Sequence, residues 1–313
     1  MKLTARLLDP ADRLAMESVR ALVAEAERAD GTAPFSDQAL LAASRGTRTL
    51  IAFDDGEATS DHTTGSRSPV AVGVCGEGEL DLVVRPDARG AGVGSAALAH
   101  LLAEADRETP TPLRAWAHGE NPVASALLRG AGFAPVRTLY RLALDPARLA
   151  AAITESRAMP AGFGIEPFNP ASHEHAESWV RVNAAAFADH PEQGGVTDTD
   201  FAALRAESWF EPEDLILARD ESNGSLAGYT WIKTVRQGPL VETELYVLGV
   251  DPVYVGRGLG AALLGETLRH MSEHHPTRIT LYVDGSNEHA LALYARAGFT
   301  VDTVSTQWLR NNG

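Results

Sequence analysis

The pattern Val-x-Pro-x-x-x-Gly-x-Gly-x-Gly occurs twice in this chain, at Val84–Gly94 and, 166 residues later, at Val250–Gly260. The same offset carries Asn121 onto Asn287, and Gly132-Phe133 onto Gly298-Phe299. One register kept across a helix and a strand marks a tandem duplication, so a single supersecondary layout must form twice. At 313 residues the chain has room for two cores. The expected division is a lobe over 1–145, a linker over 146–162 ending in Met-Pro-Ala-Gly, and a second lobe over 163–313.

Each copy reads as strand, Gly loop, helix. Glu244-Leu-Tyr-Val-Leu-Gly-Val250 is a strand-type run, closed by Asp251-Pro252. Glycines at 256, 258 and 260 precede a helical pattern from Ala261 to about Met271, apolar at Leu263, Leu264 and Leu268. Outward backbone N–H groups, a helix dipole and absent side chains together make an anion cradle. No Gly-Lys-Ser/Thr ending follows, which excludes a triphosphate P-loop, and no acidic ribose partner follows to suit a dinucleotide.

The first half predicts a strand over 2–8 and a helix from an Asp9 cap, with Pro10 at its first position, to about Arg28. A short helix capped by Ser36 follows, then strands near 48–53, 69–75 and 79–84. After the loop come a helix to about 106, a strand over 113–117, a helix over 123–130 and a strand over 136–143. The second half repeats the order with strands near 163–167, 214–219, 227–234, 241–250, 278–283 and 300–308. Its helices are expected over 173–187, 198–207, 261–271 and 288–297. The fold class is α/β (α+β), with a mixed central sheet flanked by helices in each lobe.

Composition narrows the function classes. A net charge of −15 argues against a nucleic-acid footprint, so an anionic ligand must be held by local dipoles. No apolar run is long enough to span a membrane, and Met1-Lys-Leu-Thr-Ala-Arg lacks a signal-peptide core. The lone Cys75 suits a reducing cytoplasm, where this chain is expected as a monomer. No Cys or carboxylate set of suitable geometry accompanies His173, His175, His274 and His275; they read as solvated helix ends, with no metal expected.

The Gly loops resemble the pyrophosphate loop of the GNAT acetyltransferases, which bind acetyl-CoA. Longer stretches are similar to a tandem branch of that family, the mycothiol synthases. They are Val182–Gly195 with its His190-Pro-Glu-Gln-Gly-Gly195 run, Ala206–Ala218, Arg114–Gly119, Leu281–Val283 with Asn287, and Glu244–Gly260. The resemblance covers nearly the whole chain, and the His190–Gly195 run is more specific than the Gly loops. It implies transfer of acetyl from acetyl-CoA to the cysteinyl amine of cysteinyl-glucosaminyl-inositol, a small sugar-thiol substrate. Because Cys75 is the only thiol available as a nucleophile, the transfer is expected to be direct, within a ternary complex.

Residue by residue, the resemblance implies acetyl-CoA against Leu248, Gly249 and Val250, and against the loop Val255, Gly256, Arg257, Gly258, Leu259, Gly260 and Ala261. The helix start Asn287, Glu288, His289, Ala290, Leu291 and Ala292 completes that site. A second acetyl-CoA is implied in the first lobe against Leu82, Val83 and Val84, and Gly90, Ala91, Gly92, Val93, Gly94 and Ser95. The sugar substrate is implied at Asp37, Glu192, Lys233, Glu244 and Tyr282. Position 37 is commonly Glu in the family. Val255 stands where these loops usually carry Gln or Arg, leaving its backbone N–H for the cofactor.

Amide formation needs a neutral amine, and an α-amino group titrates at about 7.7–8, so a base is required. Glu244 is expected to share a strand face with Tyr246 and Leu248. By pattern alone it is a solvated strand glutamate; the resemblance makes it the base, acting through a water. Tyr294 lies on the apolar stripe Ala290-Leu293-Tyr294-Ala297 and by pattern is a core tyrosine. The resemblance aims its hydroxyl at the thioester sulfur, as general acid. A backbone N–H of the Leu248–Val250 arm is expected to meet the oxyanion.

The offset separates the lobes. It takes Tyr294 to Leu128, Tyr282 to Trp116 and Glu244 to Gly78, or to Glu79 if the register slips by one. The first lobe is therefore expected to bind acetyl-CoA without chemistry. Two other readings stand beside the main one: a tandem GNAT acting on another small-molecule or peptide amine, and a non-catalytic acyl-CoA-binding protein.

Overall fold

A computed structural model describes residues 3–35, 37–56, 68–107, 112–188 and 193–311, with backbone alone at 37, 38 and 41. The chain divides into two compact units, 1–139 with 303–313, and 140–302. In chain order the elements of the first half are β1 (Leu3–Leu7), α1 (Arg13–Asp30), α2 (Asp37–Ser44), β2 (Thr49–Asp55), β3 (Ala71–Gly76), β4 (Glu79–Val84), α3 (Val93–Ala105), β5 (Leu113–Ala117), α4 (Pro122–Gly130) and β6 (Ala134–Leu144). Then come α5 (Leu149–Thr154), β7 (Phe163–Pro167), α6 (His173–Ala186), α7 (Asp198–Leu204), β8 (Leu215–Asp220), β9 (Leu226–Gln237) and β10 (Leu240–Val250). The chain closes with α8 (Leu259–Glu273), β11 (Arg278–Asp284), α9 (Glu288–Arg296) and β12 (Thr300–Arg310).

The first unit orders its strands β1-β2-β3-β4-β5-β12, and the second β7-β8-β9-β10-β11-β6. The ladders β4/β5 and β10/β11 are parallel. The consecutive pairs from β1 to β4 and from β7 to β10 are antiparallel, as is β12 on β5. Each sheet is thus mixed, and each is covered on both faces. In the first unit α1 and α2 pack on Val72, Val74 and Val83, and α3 brings Leu98 and Leu101 onto Leu80 and Leu113. In the second unit α6 and α7 bring Trp179 and Phe201 onto Tyr229 and Trp231, while α8 brings Leu264 and Leu268 onto Leu245 and Leu281.

The sixth strand of each sheet comes from the other half of the sequence. β12 pairs with β5 from Thr306 opposite Ala117 to Arg310 opposite Leu113, and its Trp308 is buried in the first unit's core. Residues 140–144 of β6 belong to the second unit, where Leu142 and Leu144 pack with Ile279 and Leu281. The unit boundaries therefore differ from the expected lobes. The segment 146–162, expected as a linker, carries α5, whose Leu149 and Ala152 are buried in the second unit.

Local chemistry also shifts one helix start. Asp9 accepts from Ala11 N–H in a turn, while Asp12 accepts from Leu14 and Ala15 N–H and caps α1. The cap is the acidic residue immediately before the first helical residue, Arg13, one turn ahead of the buried stripe Met16, Val19, Leu22 and Ala26. Ser36 lies outside the described residues.

Candidate active site

The second unit's site begins with an irregularity in β10. Its antiparallel register on β9 runs Glu244 opposite Lys233 and Leu245 opposite Ile232, then resumes with Val247 opposite Trp231, leaving Tyr246 as a bulge. The parallel ladder to β11 ends where the bulge begins, at Leu245 opposite Leu281. Beyond it the ladder does not continue, and the two strands part. A gap of this kind between two strands suits an extended ligand.

The bulge also resets which face each side chain takes. Leu245 packs on the α8 side, Tyr246 and Val247 both pack among the aromatic rings of the α6 side, and Leu248 returns to the α8 side. Glu244 lies directly across from Lys233, whose Nζ sits 5.4 Å from the Trp209 ring and 5.8 Å from the Tyr246 ring. Glu244 thus shares its face with Tyr246, as expected, but not with Leu248.

Below the arm, Gly256 and Gly258 adopt φ of 84° and 85°, which L side chains rarely do, and Gly258 caps α8 without any side-chain hydrogen bond. The first-turn N–H groups are therefore available to an anion. The N–H of Val255 is not, because it donates to Pro252 O at 3.3 Å. A Cβ on Gly258 would lie 2.8 Å from Cζ of Arg157, so that guanidinium rests against the cradle. Sequence reasoning missed Arg157, which falls in the segment read as a linker. The first unit repeats the cradle: Gly90 and Gly92 have φ of 76° and 83°, and α3 starts at Gly92 with no side-chain cap.

Tyr294 lies on α9 among Leu245, Leu281 and Val283, edge-on to Phe299 at 6.0 Å. Burial pushes its phenol up to about 12. Glu244 and Tyr294 are consequently brought to opposite faces of the sheet, on either side of the parting between β10 and β11. Asn287 caps α9 by accepting from Ala290 N–H at 3.0 Å, so its carbonyl oxygen serves the helix. Glu288, His289 and Ala292 are exposed on that first turn, with Ala290 and Leu291 half-buried.

On the Glu244 face, Tyr282 is 43% exposed. Burial and then the charge of Glu244 push its phenol up, against a hydrogen bond to Arg141. Arg141 donates from Nε to Asp302 at 2.6 Å, and Asp302 also accepts from Arg278 at 2.9 Å. Burial opposes ionisation of Asp302, yet the two guanidinium groups hold its carboxyl below the usual range. Thr280 donates to Glu242 at 3.3 Å beside them. This Arg141–Asp302 pair, 161 residues apart, has no sequence signal. Glu192 and His190 lie outside the described residues, as does the side chain of Asp37 at the start of α2.

The first unit lacks the bulge. β3 and β4 pair without a break from Ala71 opposite Val84 to Gly76 opposite Glu79. On the next strand Leu80 faces Ala115 where Leu245 faces Leu281, so below the bulge the offset falls from 166 to 165. Glu79, not Gly78, holds the place of Glu244. It lies 4.0 Å from Arg48, which is 3.8 Å from buried Asp81 and 3.4 Å from Glu77. Leu128 holds the place of Tyr294, inside the apolar core.

Two histidines differ from expectation. His175 Nδ1 accepts from Asn169 N–H at 3.1 Å, and His274 Nε2 lies 2.7 Å from buried Asp214. Among the described residues no three metal-ligating side chains cluster, and no helix is long and apolar enough to cross a membrane.

The GNAT acetyltransferase family model matches residues 179–299. A mycothiol acetyltransferase of Clavibacter sepedonicus is 42% identical over 95% of this chain and 93% of its own length. One from Frankia alni is 39% identical over 94% and 91%. Among solved structures, a tandem GNAT protein from the clavulanic acid biosynthesis pathway aligns over 100% of this chain and 99% of its own at a TM-score of 0.76 and 18% identity. A GCN5-related N-acetyltransferase from Sphaerobacter thermophilus covers 98% and 95% at 0.67 and 20% identity.

Proposed function

Because this chain belongs to the mycothiol acetyltransferase family of GNAT N-acetyltransferases, we propose that its second unit acetylates the cysteinyl amine of cysteinyl-glucosaminyl-inositol with acetyl-CoA. The observation that carries this site is the parting of β10 and β11 beyond Leu245, with Glu244 on one face and Tyr294 on the other. The cofactor pyrophosphate would meet the uncapped start of α8, and its pantetheine arm would lie in that gap, along 246–250.

The acceptor amine approaches from the face bearing Lys233, Tyr282 and Glu244, where charged groups suit sugar hydroxyls. Its proton passes through a water to the Glu244 carboxylate, and the amine nitrogen bonds to the thioester carbon. An N–H of the Leu248–Val250 arm stabilises the negative oxygen that forms there. The carbon–sulfur bond then breaks, the Tyr294 hydroxyl donates to the departing sulfur, and the second proton shed by the new amide nitrogen passes to solvent, from which Tyr294 is reprotonated. A phenol raised to about 12 stays protonated at any working pH and keeps this role. In the first unit we place a second acetyl-CoA at the cradle before α3 that is held and not used, because Leu128 has no proton to give.

Transfer is direct. Cys75, the one thiol, is buried in the first unit's core at 3% exposure, so Cys75→Ser should leave kcat within about twofold. An acetylated enzyme trapped from acetyl-CoA alone would contradict this. The reading as a whole is tested by incubating the protein with acetyl-CoA and a panel of amines. Release of CoA well above hydrolysis is expected with cysteinyl-glucosaminyl-inositol. Preference for another amine, or no release above hydrolysis, would refute it.

A further inference from the structure

Directly across from Gly249, the middle residue of the arm, β9 carries Tyr229. A Cβ on Gly249 would lie 2.8 Å from Cε1 of that ring and 3.1 Å from its hydroxyl, so the tyrosine presses on the arm's main chain. The ring is fully buried, tilted against Trp179 at 5.2 Å, and burial keeps its phenol neutral. The hydroxyl donates to Asn183 Oδ1 at 2.6 Å. Asn183, fully buried on α6 one turn beyond Trp179, donates from Nδ2 to Gln193 O at 2.7 Å. Its Oδ1 accepts a second bond, from Gln193 Nε2 at 3.0 Å. The amide is therefore satisfied on both sides, and it joins the arm to the segment that starts at Gln193.

A sheet of this kind does not need such a network. The first unit pairs Val72 with Val83 at the same place, with an unbroken ladder and an apolar filling. Where a polar triad is kept in a core that valines can fill, fold specificity or positioning is the gain, since buried polar groups contribute little net stability. Gln193 adjoins in sequence Glu192, the position assigned to the acceptor. We propose that Tyr229 and Asn183 are positioning residues that set the Leu248–Val250 arm against the Gln193 segment, and so set the acceptor amine against the thioester carbonyl. This rests on the acetyl-transfer reading of the second unit.

The test compares Tyr229→Phe, Gln193→Ala and the double variant with the parent protein. It reads kcat and KM for the sugar-thiol amine, Kd for acetyl-CoA, slow hydrolysis of acetyl-CoA, and Tm. Each single variant should lower kcat/KM for the amine about tenfold, with Kd for acetyl-CoA and its hydrolysis within about twofold. Their effects should be non-additive, because both break one linkage. The proposal is overturned if the variants lower Tm and leave kcat/KM within about twofold. It is equally overturned if transfer and hydrolysis fall together, or if the two losses simply multiply. A parent protein inactive on this amine would refute the functional reading itself, a result distinct from an active parent whose variants keep their rate.

Discussion

Single carboxylates mark the difference between the two units most sharply. Asp81 is 5% exposed on β4, and burial, then the charge of Glu79, raise it to about 7 against the opposing pull of Arg48. A folded-state value above the unfolded one means that the native protein holds this proton longer. Stability is therefore greatest below the unfolded value of 3.8 and is lost as pH rises toward 7. Asp81→Asn should remove that loss and make the protein more stable than the parent at pH 8 by about 1–3 kcal/mol, with little change at pH 4. Urea unfolding at the two pH values checks it, and parallel pH profiles would count against it. Glu244 and Tyr294 could be nominated from the sequence because each falls in a stretch that resembles a family. Arg141 and Asp302 were not, because their contact depends on strands 161 residues apart, and nothing local records it.

At the scale of elements, the Gly loops and the helices behind them were readable almost to the residue, since Gly, Pro and the apolar stripe act within a few positions. The β10 bulge was not. Tyr246 continues a strand-type run, and only the pairing with β9 reveals that it is extra. That one residue moved Leu248 to the other face and shifted the correspondence from Gly78 to Glu79. The cradles yield a paired prediction. Gly258→Ala places a side chain at φ 85° and against the Arg157 guanidinium, whereas a Cβ on Gly92 meets nothing within 4 Å. Gly258→Ala should raise KM for acetyl-CoA about tenfold, while Gly92→Ala should leave steady-state turnover within about twofold. Equal effects of the two in steady-state assays would contradict the assignment of chemistry to the second unit.

For the whole molecule, the duplication was plain in the sequence and the exchange of closing strands was hidden by it. β6 and β12 span 134–144 and 300–310, the same length at the same offset, so no pattern says which sheet each completes. Leu142 and Leu144, 3% and 1% exposed, fill the second unit's core, and losing each should cost about 2–5 kcal/mol. A fragment of residues 163–313 should accordingly fail to show a cooperative unfolding transition, whereas 140–302 should retain one. A cooperative 163–313 fragment would show that β6 is dispensable. The division of labour between the units is tested most directly by kcat with acetyl-CoA and cysteinyl-glucosaminyl-inositol for Glu244→Gln beside Glu79→Gln, the two carboxylates that hold equivalent places. Glu244→Gln should lower kcat by about 10²–10⁴-fold and Glu79→Gln by less than about threefold. A folded Glu79→Gln protein as impaired as Glu244→Gln would mean that the first unit is catalytic.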